Sequence, residues 1–345
     1  MNTGSFPSEA HLAVSLQPEW QLQINRWREL LASCLYKPNG KRIHDLSSFT
    51  LRLSVSLEYW LLMHLPDPVA ARAYRCWNNE GKRLQQALQP VRDADVYLTR
   101  LAYLRAKLEE SPGRESKLRP QCLREIDDLV IRLKRRRQSE IDKLAAVIEA
   151  RSERLNRRSK EMEVALAPMM ASMSGSTAQA ALRKFAALAD EFTGLDSSNL
   201  HTYRKRLRPV LCLAEMSASF DPLAGRMAVA FRRIHLAIGE WHDWQTLAKE
   251  ASSVFPGSGK QDGLVPVLES FAEKSLRKAL VFCSATKRSL VCAGSDRSSR
   301  QLNLILADQG CDQCDKPFPL GISNRRGFPE ENVDRSLPTT SQHPV

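Results

Sequence analysis

Strand-forming alternation is scarce in these 345 residues, and no long hydrophobic run occurs. The most apolar stretch, YWLLMHL from Tyr59, is far shorter than the roughly 20 residues that a membrane-spanning helix needs, so no membrane span is expected. The N-terminus, MNTGSFPSEAHLAVSLQPEW, lacks a basic segment leading into an apolar one, so no secretory signal is read. Aromatic residues make up only 7% of the chain, which leaves little material for stacking nucleic-acid bases. Glycine-rich phosphate loops and paired metal-binding carboxylates are missing too, which argues against a phosphate hydrolase. Cysteines are not scarce, but most of them (Cys34, Cys76, Cys122, Cys212, Cys283 and Cys292) stand alone inside helical patterns. That scatter suits a reducing cytoplasm better than a disulfide framework. Cys311 and Cys314 form a lone CxxC without a second pair or a suitably spaced histidine, so free thiols are expected there and no metal.

Apolar residues and positive charge are both plentiful. At 43% hydrophobic, the chain can bury one large core or two smaller ones. Its formal net charge of +12 predicts attraction to polyanions such as nucleic acid, phosphate polymers or an acidic membrane surface. Apolar positions recur every three or four residues, as in Leu123, Ile126, Val130, Leu133 and then Ile141, Leu144, Ile148, Leu155, so the ordered part reads as all-α. Breaks are expected at Lys37 to Gly40, Pro66 to Pro68, Ser111 to Gly113, Ser172 to Ser176, Asp221 with Pro222, and Phe255 to Gly263. Between Arg114 and Lys160 there are 15 basic and 8 acidic residues, densest in RLKRRRQ at 132–138. Most of these read as a solvated helix face, with a minority turned inward. From about Gly294 onward Pro, Ser, Asp and Asn dominate without periodicity. The chain therefore reads as an N-terminal tail over 1–17, an ordered body over 18–293 with halves of about 18–165 and 178–293, and a disordered tail over 294–345.

The two halves repeat an architecture. The first reads IHDLSSFTLRLSVSLEYW and then WNNEGKRLQQALQPVRDADVYLTRL; the second reads LHTYRKRLRPVLCLAEM and then FRRIHLAIGEWHDWQTLAKEA. His44 corresponds to His201, Lys82 and Arg83 to Arg232 and Arg233, and the pair Arg92, Asp93 to His242, Asp243. On a helix, His201, Arg204, Lys205 and Arg208 share a stripe about 100° wide, opposite Tyr203, Leu207, Val210, Leu211 and Ala214. No acid stands between Leu200 and Ala214 to pair with these cations, so the stripe calls for an external anion. A bound phosphate would draw a histidine toward its cation and accept its N–H. Pro90 reads as a helix end, which makes Asp93 and Asp243 helix N-caps and sets Arg92 and His242 beside helix N-termini.

A histidine ahead of spaced Arg and Lys, then a basic helix, then an RD or HD step, all occurring twice, resembles the CHAD domain, the conserved histidine α-helical domain. The resemblance spans roughly residues 20 to 290, and its strength lies in the order and duplication of the motifs. It implies two pseudo-symmetric four-helix bundles flanking a central basic channel, inorganic polyphosphate as the ligand, and association with polyphosphate granules. By position it assigns His44, Arg52, Lys82 and Arg92 to the first half of the channel. His201, Arg204, Lys205, Arg208, Arg232, His235 and His242 fall to the second, with Arg83 and Arg233 at the stations beside Lys82 and Arg232. Ser47 stands where such domains usually carry Arg, and Leu51 replaces another cation, so the first half is expected to be the poorer in charge. Pro209 is expected to bend the helix that holds Arg208.

The expected protein is a non-catalytic polyphosphate binder without cofactor or metal. The main alternative is an RNA or nucleic-acid module; Trp241 and Trp244 beside His242 have the chemistry to stack bases, although their spacing fits helix packing better. A phosphate-polymer enzyme is the weaker rival, because the text nearest to an ExExK motif, Glu161 to Ala165, lacks the lysine. A phosphohistidine relay, suggested by His44, Asp45 and Leu46, would need an ATPase partner domain that the sequence does not show.

Overall fold

The structure is a computed structural model that describes residues 9–63, 67–110, 119–170, 177–218, 221–256 and 263–295. Among these residues there are eight helices and no strand. They are α1 (Glu9–Tyr36), α2 (Gly40–Met63), α3 (Pro68–Glu110), α4 (Arg119–Met170), α5 (Thr177–Glu191), α6 (Leu200–Ser217), α7 (Pro222–Val254) and α8 (Leu264–Ser295). None is long and apolar enough to cross a membrane. Helix α1 begins at Glu9, inside the segment read from sequence as a tail. The segment beyond Ser295, including Cys311 and Cys314, lies outside the described residues.

Helix starts follow side-chain chemistry where the sequence offers it. Asp221 accepts from the amides of Leu223 and Ala224 at 2.8 and 3.3 Å, with Pro222 opening α7. Asn39 accepts from the Arg42 amide at 2.9 Å ahead of α2, and Asp67 from the Val69 amide at 2.9 Å ahead of α3. Apart from the helix end expected at Pro90, the expected breaks fall between helices. One further break, over residues 192–199, was not expected from sequence. There the Asp196 carboxylate accepts from the amides of Ser198 and Asn199 and closes a turn before α6.

Two prolines do not break the chain. Helix α3 runs without interruption through Pro90, and α6 through Pro209. An interior proline costs about 3 kcal/mol in an isolated helix, but Leu88, Val91 and Ala94 around Pro90 are fully buried, and their packing offsets that cost. Asp93 and Asp243 therefore sit inside helices and are not N-caps, and Arg92 and His242 do not stand at helix N-termini. Tertiary burial has overridden the local signal.

The core has two parts. The first gathers α1 to α4 around Trp27, Leu46, Trp77, Leu88, Leu144 and Leu155. Trp27 meets Trp77 edge-on at 5.7 Å and donates to Thr50 Oγ1 at 2.8 Å. The second gathers α5 to α8 around Phe185, Leu207, Phe231, Ile238, Trp244 and Leu268, with Phe185 stacked on Phe231 at 4.7 Å. Leu101 and Leu104 of α3 and Ile126, Leu129 and Leu133 of α4 also belong to this second core. At 43 and 52 residues, α3 and α4 reach about 65 and 78 Å, long enough to serve both cores. The packing thus divides the molecule elsewhere than the repeat divides the sequence. Across the division α2 touches α6, α3 touches α7 and α4 touches α8.

Candidate functional site

Helix α6 is amphipathic as its periodicity requires. Tyr203, Leu207, Val210, Leu211 and Ala214 are buried against the second core, which turns His201, Arg204, Lys205 and Arg208 the other way. On that face Lys205 is exposed, whereas His201, Arg204 and Arg208 are partly withdrawn from water. Arg204 and Arg208 are half-buried on the side of α6 that adjoins α7 and α2, and Arg204 Nε donates to the His235 carbonyl of α7 at 3.3 Å.

The first half supplies Arg92 to this junction. Its Nη1 donates to Ser47 Oγ of α2 at 2.6 Å, while its Nε is buried without a hydrogen-bond partner. The positive charge of Arg92 is felt at both Arg204 and Arg208, and Arg52 adds to it at Arg208. Burial, followed by the charges of Arg204, Arg92 and Arg52, brings Arg208 down to about 10 against the opposing pull of Cys212. Arg92 and Arg204 are also lowered, burial first, with Asp93 and then Asp243 working against the shift at Arg92 and Asp243 against it at Arg204. His44, exposed on α2, is lowered by desolvation and then by Arg92, and Arg208 also reaches it. Among the described residues none of Arg92, Arg204 and Arg208 forms an ion pair. Guanidinium groups crowded together at this level of burial, without a carboxylate on any of them, are costly unless an anion joins them.

The histidines extend the site along α6 and α7. The His201 and His242 rings lie 4.3 Å apart, tilted by 31°. The buried Nδ1 atoms of His201, His235 and His242 have no hydrogen-bond partner. Burial, then Arg204 and Arg208, pushes His235 down to about 3. Burial, then His201, Arg204, Lys249 and Lys205, pushes His242 down to about 4. His201 is lowered by burial and by Lys205 and Arg204. All of these imidazoles are neutral at pH 7 in the free protein.

Other residues expected at the site have different fates. Arg52 and Arg232 converge on Glu215 at 3.4 and 2.5 Å, one from α2 and one from α7. Arg83 is held at 2.7 Å by the buried Glu80, which also takes Arg151 at 3.1 Å and Arg154 at 3.7 Å along the seam of α3 and α4. Lys82 and Arg233 are exposed and enter no ion pair or hydrogen bond with described residues. Trp241 and Trp244 are 3% and 1% exposed, so they pack the core and present no face to a base. In the run RLKRRRQ, Arg136 turns inward to Glu250 at 2.6 Å and Arg137 to Asp95, while Arg132, Lys134 and Arg135 stay exposed.

Several contributors escaped sequence reading. Ser47, seen there only as a missing cation, is the hydrogen-bond acceptor that holds Arg92. Asp243, read as a cap, pairs with the buried Arg100 of α3 at 3.1 Å, and the Arg100 guanidinium lies 5.2 Å from the Trp244 ring centroid. Lys249, two turns beyond His242, acts on that ring. Its spacing from His242 was the one available signal.

Comparison with known families matches residues 62–252 to the CHAD domain. No curated protein and no solved structure matches the chain.

Proposed function

The chain belongs to the CHAD domain family, and from that premise we propose that it is a non-catalytic binding protein for inorganic polyphosphate. The ligand enters a central basic channel between two pseudo-symmetric four-helix bundles. The observation that carries this reading is the meeting of Arg92, from the first half of the chain, with Arg204 and Arg208, from the second, without an ion-paired carboxylate.

Polyphosphate bears about one negative charge per internal phosphate, so one chain relieves several cations at once. Arg92, Arg204 and Arg208 offer planar forks to phosphate oxygens, and Lys205 a mobile point charge. His201 and His242, neutral in the free protein, take up a proton as phosphate arrives and donate to it. Proton uptake makes binding stronger as pH falls from 7.

A pull-down across a salt series tests the reading, with long-chain polyphosphate, orthophosphate and RNA compared. Retention of the long polymer, weakening as salt rises, is expected. Equal or stronger retention of RNA would replace the ligand. The burial of Trp241, Trp244 and Tyr203 argues against that outcome, since none of these three aromatics offers a face on which a base could stack. No orthophosphate should be released on prolonged incubation with the polymer. In cells the protein is expected in the cytoplasm, gathered at polyphosphate granules rather than at a membrane, which a fluorescent fusion would reveal.

A further inference from the structure

Glycine weakens a helix interior relative to alanine, yet Gly239 is buried within α7. A Cβ built on it would lie 3.0 Å from Nη2, 3.4 Å from Cζ and 3.5 Å from Nε of Arg204. All three nearest atoms belong to that one guanidinium. One turn earlier on the same face, the His235 carbonyl accepts the Arg204 Nε–H at 3.3 Å. In a helix this carbonyl also receives the amide of residue 239, so the arginine uses its second lone pair and must approach along the backbone just where a side chain at 239 would stand.

We propose that Gly239 is a positioning residue, whose missing side chain seats the Arg204 guanidinium against α7 with its Nη groups turned to the junction. With Nε committed to His235, the Nη N–H groups make no hydrogen bond among the described residues and remain for an incoming anion. A seated guanidinium spends little of its binding energy on ordering, whereas one displaced by a methyl group must be ordered again in each complex. The effect on affinity rests on the polyphosphate reading; the seat itself does not.

Gly239→Ala tests the proposal. The obstruction is the end of a flexible side chain, so the variant should keep its helix content. Affinity for long-chain polyphosphate should fall about tenfold. Followed by NMR, His235 and His242 should titrate at higher pH, because Arg204 is one of the charges that hold both rings down. In an Arg204→Ala background, Gly239→Ala should change neither quantity. A folded Gly239→Ala protein with wild-type affinity and unmoved histidine titrations would overturn the proposal. If Gly239→Ala loses helix content, combining it with Arg204→Ala must restore it; failure to do so also overturns the proposal. If the wild-type protein ignores polyphosphate, the functional reading falls, and the titration and double-variant results still decide whether Gly239 seats Arg204.

Discussion

The two halves of the chain carry cations at corresponding stations, and the structure treats them differently. On α3, Arg83 is neutralised by Glu80 and Arg100 by Asp243, while Arg92 reaches the junction without an ion pair, steadied by Ser47. On α6, Arg204 and Arg208 reach it together, with two neutral histidines close by on α6 and α7. Matching sequence position therefore does not secure matching electrostatic role. A cation is available to a ligand only if no neighbouring helix brings a carboxylate to it, and that neighbour is set by packing. Glu80 is buried in the seam of α3 and α4, where long antiparallel helices need an internal charge to be paired.

The largest expected effect is in the second half. Replacing Arg204 and Arg208 by Ala should abolish measurable polyphosphate binding, since each charge-assisted bond contributes about 1.5–3 kcal/mol and the two act as one unit. Calorimetry at low salt, with helicity checked by circular dichroism, reads the outcome; wild-type affinity would remove both residues from the site. Next in size is Arg92→Ala, expected to weaken binding about tenfold. Binding that survives this change intact would make the second half sufficient alone and sharpen the asymmetry.

An intermediate effect should follow pH. His235 and His242 are held down to about 3 and about 4 in the folded protein, against an ordinary value of 6.5. Below 6.5 the unfolded chain binds protons there that the folded protein does not, so thermal stability of the free protein should fall as pH drops from 7 toward 4. Polyphosphate should reverse that loss by pairing with the imidazolium forms. A melting temperature independent of pH over this window, with and without polymer, would contradict the placement of these rings.

Smaller still is Glu215→Gln, which frees Arg52 and Arg232. Affinity should rise a few-fold, about the worth of an exposed ion pair, and the salt dependence should steepen. Arg83→Ala should leave polyphosphate affinity unchanged. A loss there as large as that of Arg92→Ala would restore the equivalence of the stations and break the comparison.

Much of the fold was legible because its signals are local. The proline- and glycine-bearing breaks, the stripe on α6 and the solvated run of α4 each follow from residues within one or two turns. The turn over 192–199 was also written locally, in Gly194, Asp196 and Asn199, and was overlooked. Pro90 and the Asp93 and Asp243 assignments failed for another reason. Local chemistry favoured an end and two caps, while burial of Leu88, Val91 and Ala94 held α3 straight through. Ser47 and Gly239 were invisible as site residues, because each acts only on an arginine of another helix.

By itself the sequence determined an all-helical protein and a face of α6 whose cations have no acid in reach along their own helix. Which cations stay unpaired, which are silenced by Glu80 or shared with Glu215, and which helix furnishes the seat for Arg204 were decided only in three dimensions. The reason is range. Helix propensity and amphipathic spacing act over a few residues of chain, whereas the field at a guanidinium is set by every charge within several ångströms, however distant in sequence.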